Sequence, residues 1–267
     1  MKQGSTHTVT TYTRMLHTLP PLQKALVVKR PSASIKSPYV ADIQLEDGTM
    51  ALCHTPGLSC SGLVVPGRTI YVSPSSVGSK TAYTAQISDS NDSEGTYYIG
   101  IHPMISQKVA SKLLDKISTE ANWKSEVKLS KETRLDFVGT LASGKKIYVE
   151  VKNAMISLCK ELRLQRRAIF PEGYRKTKDA TISPRAVKHA ETLTALMKEP
   201  DTDSAYLLFI VPRSDCCDGL ELNPTDPIYC NAVRAALAAG VQVKVFGLDF
   251  HLDGTIDFYK ELEFHAP

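Results

Sequence analysis

Arg134-Leu135-Asp136-Phe137 and Tyr148-Val149-Glu150-Val151-Lys152, joined through the turn Ala142-Ser143-Gly144-Lys145, read as one β-hairpin, and that hairpin decides the fold. Side chains at i and i+2 of a strand share a face, so Glu150 and Lys152 point the same way. Centring the hairpin near Ser143 sets Asp136 opposite Glu150, with the Cβ atoms roughly 4.5–5.5 Å apart. A slip of one residue would send Asp136 to the other face.

Two facing carboxylates beside a lysine can share a hard, oxygen-seeking cation such as Mg²⁺ or Mn²⁺, with water completing the coordination. Such an ion activates a bound water and neutralises charge building on a phosphate, and a lysine orients the water or screens that charge. Asp136, Glu150 and Lys152 are therefore the candidate catalytic residues, with Asp136 and Glu150 as metal ligands. Glu126, in Trp123-Lys124-Ser125-Glu126-Val127-Lys128, is a candidate third acid from the preceding strand. The same residues also fit a plainer role, because opposite charges facing each other across a hairpin stabilise sheets without chemistry. Many inert hairpins satisfy the spacing, so it leaves both roles open.

The charge distribution bears on that choice. The formal net charge is +4, but residues 121–190 hold sixteen Lys and Arg against seven Asp and Glu, while residues 201–267 hold four against eleven. Half of the 32 basic residues thus surround the acidic hairpin, as expected of a surface that tracks phosphates. Arg134, Arg163, Arg166 and Arg167 are candidate nucleic-acid contacts, alongside Lys160, Arg175, Lys176 and Lys178; a solvated face is the alternative. The acidic C-terminal stretch is expected away from that surface.

With 267 residues the chain has room for one large or two small domains. No apolar run approaches the roughly 18–20 residues of a membrane span, and no signal-peptide order is present, so a soluble, intracellular protein is expected, cytoplasmic or nuclear. The Thr- and Ser-rich start, with no acid before Asp42, is read as a disordered tail over residues 1–20, with a weak organellar presequence as the alternative. The cysteines at 53, 60, 159, 216, 217 and 230 form no C-x-x-C pair and read as reduced thiols. Cys53-His54 with Cys60 lacks the spacing and the fourth ligand of a zinc site.

Short apolar-alternating runs fill residues 22–102, separated by Asp47-Gly48, Pro66-Gly67 and Glu94-Gly95, which argues for a β-barrel or sandwich. After Pro103 the spacing of Val109, Leu113, Leu114 and Ile117 becomes helical, placing a domain boundary near residues 96–106. Ser183-Pro184 opens a second helix, with Ala186, Ala190, Leu193, Leu196 and Met197 as its apolar stripe. Ala205 to Val211 is apolar throughout, as for a strand covered on both faces. Asp226-Pro227 opens a third helix that stops at Gly240, and Val241 to Phe246 returns as a strand, so a mixed sheet flanked by helices is expected.

From about Pro21 to Ile256 the chain resembles the sugar fermentation stimulation protein A family, known mainly from bacteria and described as DNA-binding. The residues that carry the resemblance are Pro21-Leu22-Gln23-Lys24, Tyr98-Ile99-Gly100-Ile101, Lys124-Ser125-Glu126-Val127-Lys128, Arg134-Leu135-Asp136-Phe137 and Tyr148-Val149-Glu150-Val151-Lys152-Asn153. Phe170-Pro171-Glu172, Arg185 with Lys188-His189, and Tyr206-Leu207-Leu208-Phe209-Ile210-Val211 complete the set. The resemblance implies an α+β fold: an OB-like β-barrel over residues 21–100, then a mixed-sheet α/β domain similar to PD-(D/E)xK nucleases over residues 101–267. It also implies that Asp136, Glu150 and Lys152 handle metal and water, and that Arg185, Lys188 and His189 contact nucleic acid. Tyr71, Tyr83, Tyr97 and Tyr98 are candidate stacking platforms on such a barrel, with ordinary packing as the alternative. The chain departs from the family pattern at Cys53-His54-Thr55-Pro56-Gly57-Leu58-Ser59-Cys60, at His102, at Glu172, and in an apparent insertion from Gly173 to Ser183; these departures bear on the nucleic-acid surface more than on the acidic hairpin.

The expected function is therefore a DNA-binding protein, RNA not excluded, with a Mg²⁺-dependent phosphodiesterase site. The rival is a catalytically silent DNA- or RNA-binding regulator on the same fold. Direct sugar binding finds no aromatic-rich groove in the sequence to support it. Oligomeric state is not legible.

Overall fold

In the computed structural model, residues 14–57, 60–130, 133–157, 165–173 and 175–267 are described. The alternating runs of the first third become β2 (Gln23–Lys29), β3 (Val40–Leu45), β4 (Met50–His54), β5 (Thr69–Pro74), β6 (Tyr83–Asp92) and β7 (Gly95–Gly100), hydrogen-bonded in the order β4-β3-β2-β5-β6-β7. A further pairing of Cys53 with Tyr83 and His54 with Thr84 joins β4 to β6 and closes the first five into an OB-like barrel. Val27, Ile43, Ile70, Val72, Ala85 and Ile99, at near-alternate positions, fill its core.

The larger sheet has the order β1-β15-β14-β12-β10-β9-β8. Its strands are β1 (Arg14–Thr18), β8 (Asn122–Lys128), β9 (Arg134–Thr140), β10 (Lys146–Asn153), β12 (Thr202–Val211), β14 (Gln242–Phe250) and β15 (Thr255–Glu261). β10, β12 and β14 run parallel, and the flanking strands are antiparallel. Along β12 the side chains alternate between two cores: Leu207, Phe209 and Val211 pack under α2 (Pro184–Leu196) and α3 (Pro227–Ala238), while Leu208 and Ile210 face α1 (Pro103–Ser111). Burial on both faces explains why this strand carries no polar face. Ser183 and Asp226 cap α2 and α3 with their side chains, each ahead of a proline in the first turn.

Three findings depart from the sequence reading. Arg14 to Thr18, expected within a tail, forms the edge strand β1 against β15, and Leu16 and Leu19 anchor it in the α1-side core. The Arg-rich stretch after the hairpin contains β11 (Arg167–Phe170), which pairs with β13 (Gly219–Leu222) and through it β16 (Phe264–His265) in a small parallel sheet. Two of the candidate phosphate-binding arginines are turned to internal pairing. Arg166 is 4 % exposed and bonds Asp92 of β6 at 2.5 Å and Asp215 at 2.6 Å. Asp215 also binds Arg213 at 2.6 and 2.7 Å, so a buried charge network ties the barrel to the larger sheet. Arg167 is held by Asp218 at 2.6 Å and Glu221 at 3.1 Å. A buried cation needs a paired anion, and these positions have one. Arg163, Lys160 and Cys159 lie outside the described residues; the five described cysteines are free thiols.

The tyrosines are engaged by the protein. Tyr71 and Tyr98 meet edge to face at 5.7 Å against the α1-side core, Tyr83 packs on the barrel core, and Tyr97 faces the Arg166 guanidinium at 5.8 Å. Among the described residues no helix is long and apolar enough to cross a membrane.

Asp215→Ala would leave the buried Arg213 guanidinium without a carboxylate and Arg166 with Asp92 alone, and should cost about 3–5 kcal/mol, read from the urea unfolding midpoint; a loss below about 1 kcal/mol would remove the network from the stability argument. Gly100 meets the larger sheet, where its N–H donates to Pro212 O at 2.9 Å and an added Cβ would lie 2.2 Å from the Phe250 ring. Gly100→Ala should destabilise by about 1–3 kcal/mol, with part of the loss recovered when Phe250→Leu is combined with it. Additive effects of the two changes in thermal unfolding would contradict that contact.

Candidate metal and nucleic-acid site

β9 and β10 pair Lys146 with Thr140, Ile147 with Gly139, Tyr148 with Val138 and Val149 with Phe137, the register that puts Asp136 level with Glu150. The ladder stops one step short of that pair. Leu135 belongs to the core under α2 and α3, whereas Phe137, two residues on, belongs to the opposite core, so side-chain alternation breaks at Asp136. Instead of a backbone carbonyl, Asp136 Oδ2 accepts the Val151 N–H at 2.7 Å.

The same break occurs on β8. Ser125 pairs with Phe137 and Val127 with Leu135, leaving Glu126 level with Asp136. Trp123 and Val127 also pack into opposite cores, and Glu126 between them takes a left-handed backbone, φ 54°. A non-glycine residue held in that region costs on the order of 1 kcal/mol, so the surrounding contacts must hold it. Gln107 of α1 does so, donating to Glu126 Oε1 and, at 3.1 Å, to Asp136 Oδ1, while Arg134 Nη1 donates to Glu126 Oε2 at 2.7 Å. Three carboxylates thus stand level on β8, β9 and β10.

Glu150 is 2 % exposed and faces α2. Its Oε1 accepts from Lys152 Nζ at 2.6 Å and contacts His189 Nδ1; Lys152 Nζ is also 3.0 Å from His189 Nδ1. Its Oε2 is buried with no hydrogen-bond partner. Burial alone would push the Glu150 carboxyl up, but His189 and Lys152 outweigh it and hold it below its usual value. For Asp136 the balance goes the other way: burial first, and the Glu150 charge second, outweigh the Val151 N–H and Lys152 and push it up to about 6. Burial also pulls the Lys152 ammonium below its usual value, against the attraction of Glu150.

These groups line an open cleft of about 480 Å³ together with Ser106, Gln107 and Arg185. Arg134, Arg185, Lys188 and His189 line a second hollow beside it. Arg185 and Lys188 are exposed one helical turn apart on α2. Of the expected basic contacts, Arg134, Arg185, Lys188 and His189 therefore gather at the acids, with His189 turned inward onto Glu150 and Lys152, while Arg166 and Arg167 lie in the ion pairs already described. Gln107 gave no sequence signal: it lies 29 positions before Asp136 on a different element, and only the packing of α1 against β10 brings it in.

The donor set suits a hard divalent cation. Asp136 and Glu150 supply carboxylate oxygens, Glu150 Oε2 is buried and unsatisfied, and the Asp136 carboxyl is pushed up by burial first and by the Glu150 charge second, both of which a bound cation would offset. Among the described residues no group of three or more His, Cys, Asp or Glu is placed to hold a metal ion, so the expected third ligand, Glu126, does not join Asp136 and Glu150, and water or substrate oxygens would complete the shell.

Residues 101–254 match the family model described as the sugar fermentation stimulation protein RE domain. A sugar fermentation stimulation protein homologue from Nostoc punctiforme is 30% identical over 249 residues, covering 90% of this chain and 94% of that protein. One from Synechococcus elongatus is 29% identical over 235 residues, covering 85% and 89%. The solved Pyrococcus furiosus SfsA, in complex with Ca²⁺, shares the fold with a TM-score of 0.75 at 22% identity, over 94% of this chain and 99% of that one.

Asp136→Asn should stabilise the cation-free protein. Above pH 6 the folded state must hold a buried carboxylate that the unfolded chain ionises near 3.8, a penalty that disappears once both states are protonated. The expected gain is about 1–3 kcal/mol at pH 7.5 in EDTA, vanishing below pH 4. Equal stability of the two proteins at pH 7.5 would contradict the raised carboxyl.

Proposed function

This chain belongs to the sugar fermentation stimulation protein family, and we propose that it is a nucleic-acid-binding protein, with DNA as the first candidate, whose acidic cleft is a divalent-cation-dependent phosphodiesterase site. The observation that carries the reading is the buried, unpartnered Glu150 Oε2 beside the strained charge of Asp136, in a cleft rimmed by basic side chains. Asp136 and Glu150 would hold Mg²⁺ or Mn²⁺; Glu126, expected as a third acid, has both oxygens engaged by Gln107 and Arg134 and stays outside that pair. The Ca²⁺ named with the Pyrococcus furiosus relative is in keeping with a divalent ion here. Such a cation, when bound, lowers the pKa of a coordinated water and offsets charge on the phosphate.

The chain's own residues supply the rest. Lys152, fixed by Glu150 and His189, presents an ammonium at the cleft floor that orients the attacking water and screens negative charge on the scissile group. Arg134, Arg185 and Lys188 would grip flanking phosphates, the arginines through their planar forks. His189 acts on the phosphate only indirectly, through the two groups it holds.

A specific observation favours a second reading, that of a silent nucleic-acid-binding regulator. Glu150 Oε1 is already engaged by Lys152 and His189, so the charge is partly neutralised without an ion. Incubation of wild-type and Glu150→Ala protein with labelled single- and double-stranded DNA and RNA in Mg²⁺, Mn²⁺ or EDTA separates the two. Metal-dependent cutting that falls at least about a hundredfold in the variant, while salt-sensitive binding persists, is expected. Cutting retained by Glu150→Ala would sink the site assignment, and binding without cutting by either protein would establish the regulator.

A further inference from the structure

Gln107 reaches the acid row from α1 and touches two of its three members. Its amide Nε2 donates to an oxygen of each, Glu126 Oε1 and, at 3.1 Å, Asp136 Oδ1. The outer oxygens are held too, Glu126 Oε2 by Arg134 Nη1 at 2.7 Å and Asp136 Oδ2 by the Val151 N–H at 2.7 Å. All four oxygens on that side of the row therefore carry a donor. On the other side, Glu150 Oε2 is buried and carries none.

Resting on the cation reading above, we propose that Gln107 is a positioning residue whose amide stands in for a cation between Glu126 and Asp136, fixing Asp136 Oδ1 and limiting the acid row to one divalent ion. Two carboxylates brought together, one of them, Asp136, partly buried and the other, Glu126, exposed at the rim, repel each other unless a donor, a proton or a cation stands between them. A primary amide supplies two donors and no net charge, so it satisfies both while leaving no space for an ion. The left-handed backbone at Glu126 fits this arrangement, because the conformation aims that side chain at Gln107 instead of along the strand. Without the amide, Glu126 and Asp136 form a second pair of hard oxygen ligands that water can complete around Mn²⁺. Glu126 is on this view a ligand in reserve, kept out of coordination by Gln107.

The test is a Mn²⁺ titration of the full chain, with free ion read by its electron paramagnetic resonance signal and heat by calorimetry. Wild type should bind one ion. Gln107→Ala should bind two, and Glu126→Gln added to it should restore one. Gln107→Lys, whose ammonium satisfies the same two carboxylates, should stay at one. Circular dichroism checks the fold of each variant; Gln107 is only half-buried and alanine suits a helix, so Gln107→Ala is expected to fold. One ion in both wild type and Gln107→Ala would overturn the role of Gln107 and leave the cation site standing. Two ions in wild type would overturn it equally. No ion in any of the proteins would overturn the cation reading itself, and this inference with it.

Discussion

The hydrogen bond from the Val151 N–H to Asp136 Oδ2 is the constraint on which the site depends. A buried strand donor must be satisfied, and in a regular hairpin the neighbouring backbone would do it. Here β9 turns from one core to the other at Asp136, and its carbonyl ladder ends. By taking the orphaned donor with a side chain, the protein lets β9 and β10 part without leaving a buried N–H unpaired. The cleft is that parting. The acid that makes the opening possible is thereby fixed at its mouth, with its second oxygen turned toward Gln107 and its charge set against Glu150.

Everything else in the site manages the concentration of negative charge that follows. Lys152 and His189 compensate Glu150 from beneath, Arg134 compensates Glu126 at the rim, and the Gln107 amide bridges the remaining gap. The compensation is uneven. Glu150 is held low, Asp136 is driven up, and one oxygen of Glu150 is left bare. Such unevenness in a cleft is what separates a candidate reactive site from a surface ion-pair ladder, where opposite charges neutralise one another in water. The same chemistry reappears as architecture where Arg166 and Arg213 close on Asp215, buried, fully paired, and joined through Asp92 to the barrel.

The basic excess of residues 121–190 therefore divides into two kinds of positive charge that look alike in a sequence. Arg134, Arg185 and Lys188 stand at the cleft, and Arg166 and Arg167 hold elements together. Nothing local distinguishes them, because the acids that claim Arg166 lie 74 residues before it and 49 after it. The tyrosines of the barrel follow the same rule. Their alternation announces strands, but whether a ring meets a ligand or another ring depends on what packs over it.

Period-two alternation, turn residues and capped prolines were enough to write the barrel strands in order, the three helices, the hairpin register, the doubly covered strand at Ala205 to Val211, and the pairing of Glu150 with Lys152, but not the short strands at residues 14–18, 167–170, 219–222, 255–261 and 264–265. The features so written depend on contacts a few residues apart, or on one turn that fixes register for the whole hairpin. Tertiary structure decided the rest: the left-handed turn at Glu126, the face switch at Asp136, the arrival of Gln107 and His189 at the acids, and the edge strand made from Arg14 to Thr18. Each arises from elements far apart in the chain competing for the same buried donors and charges, and a linear pattern carries no record of which competitor lies nearest in space.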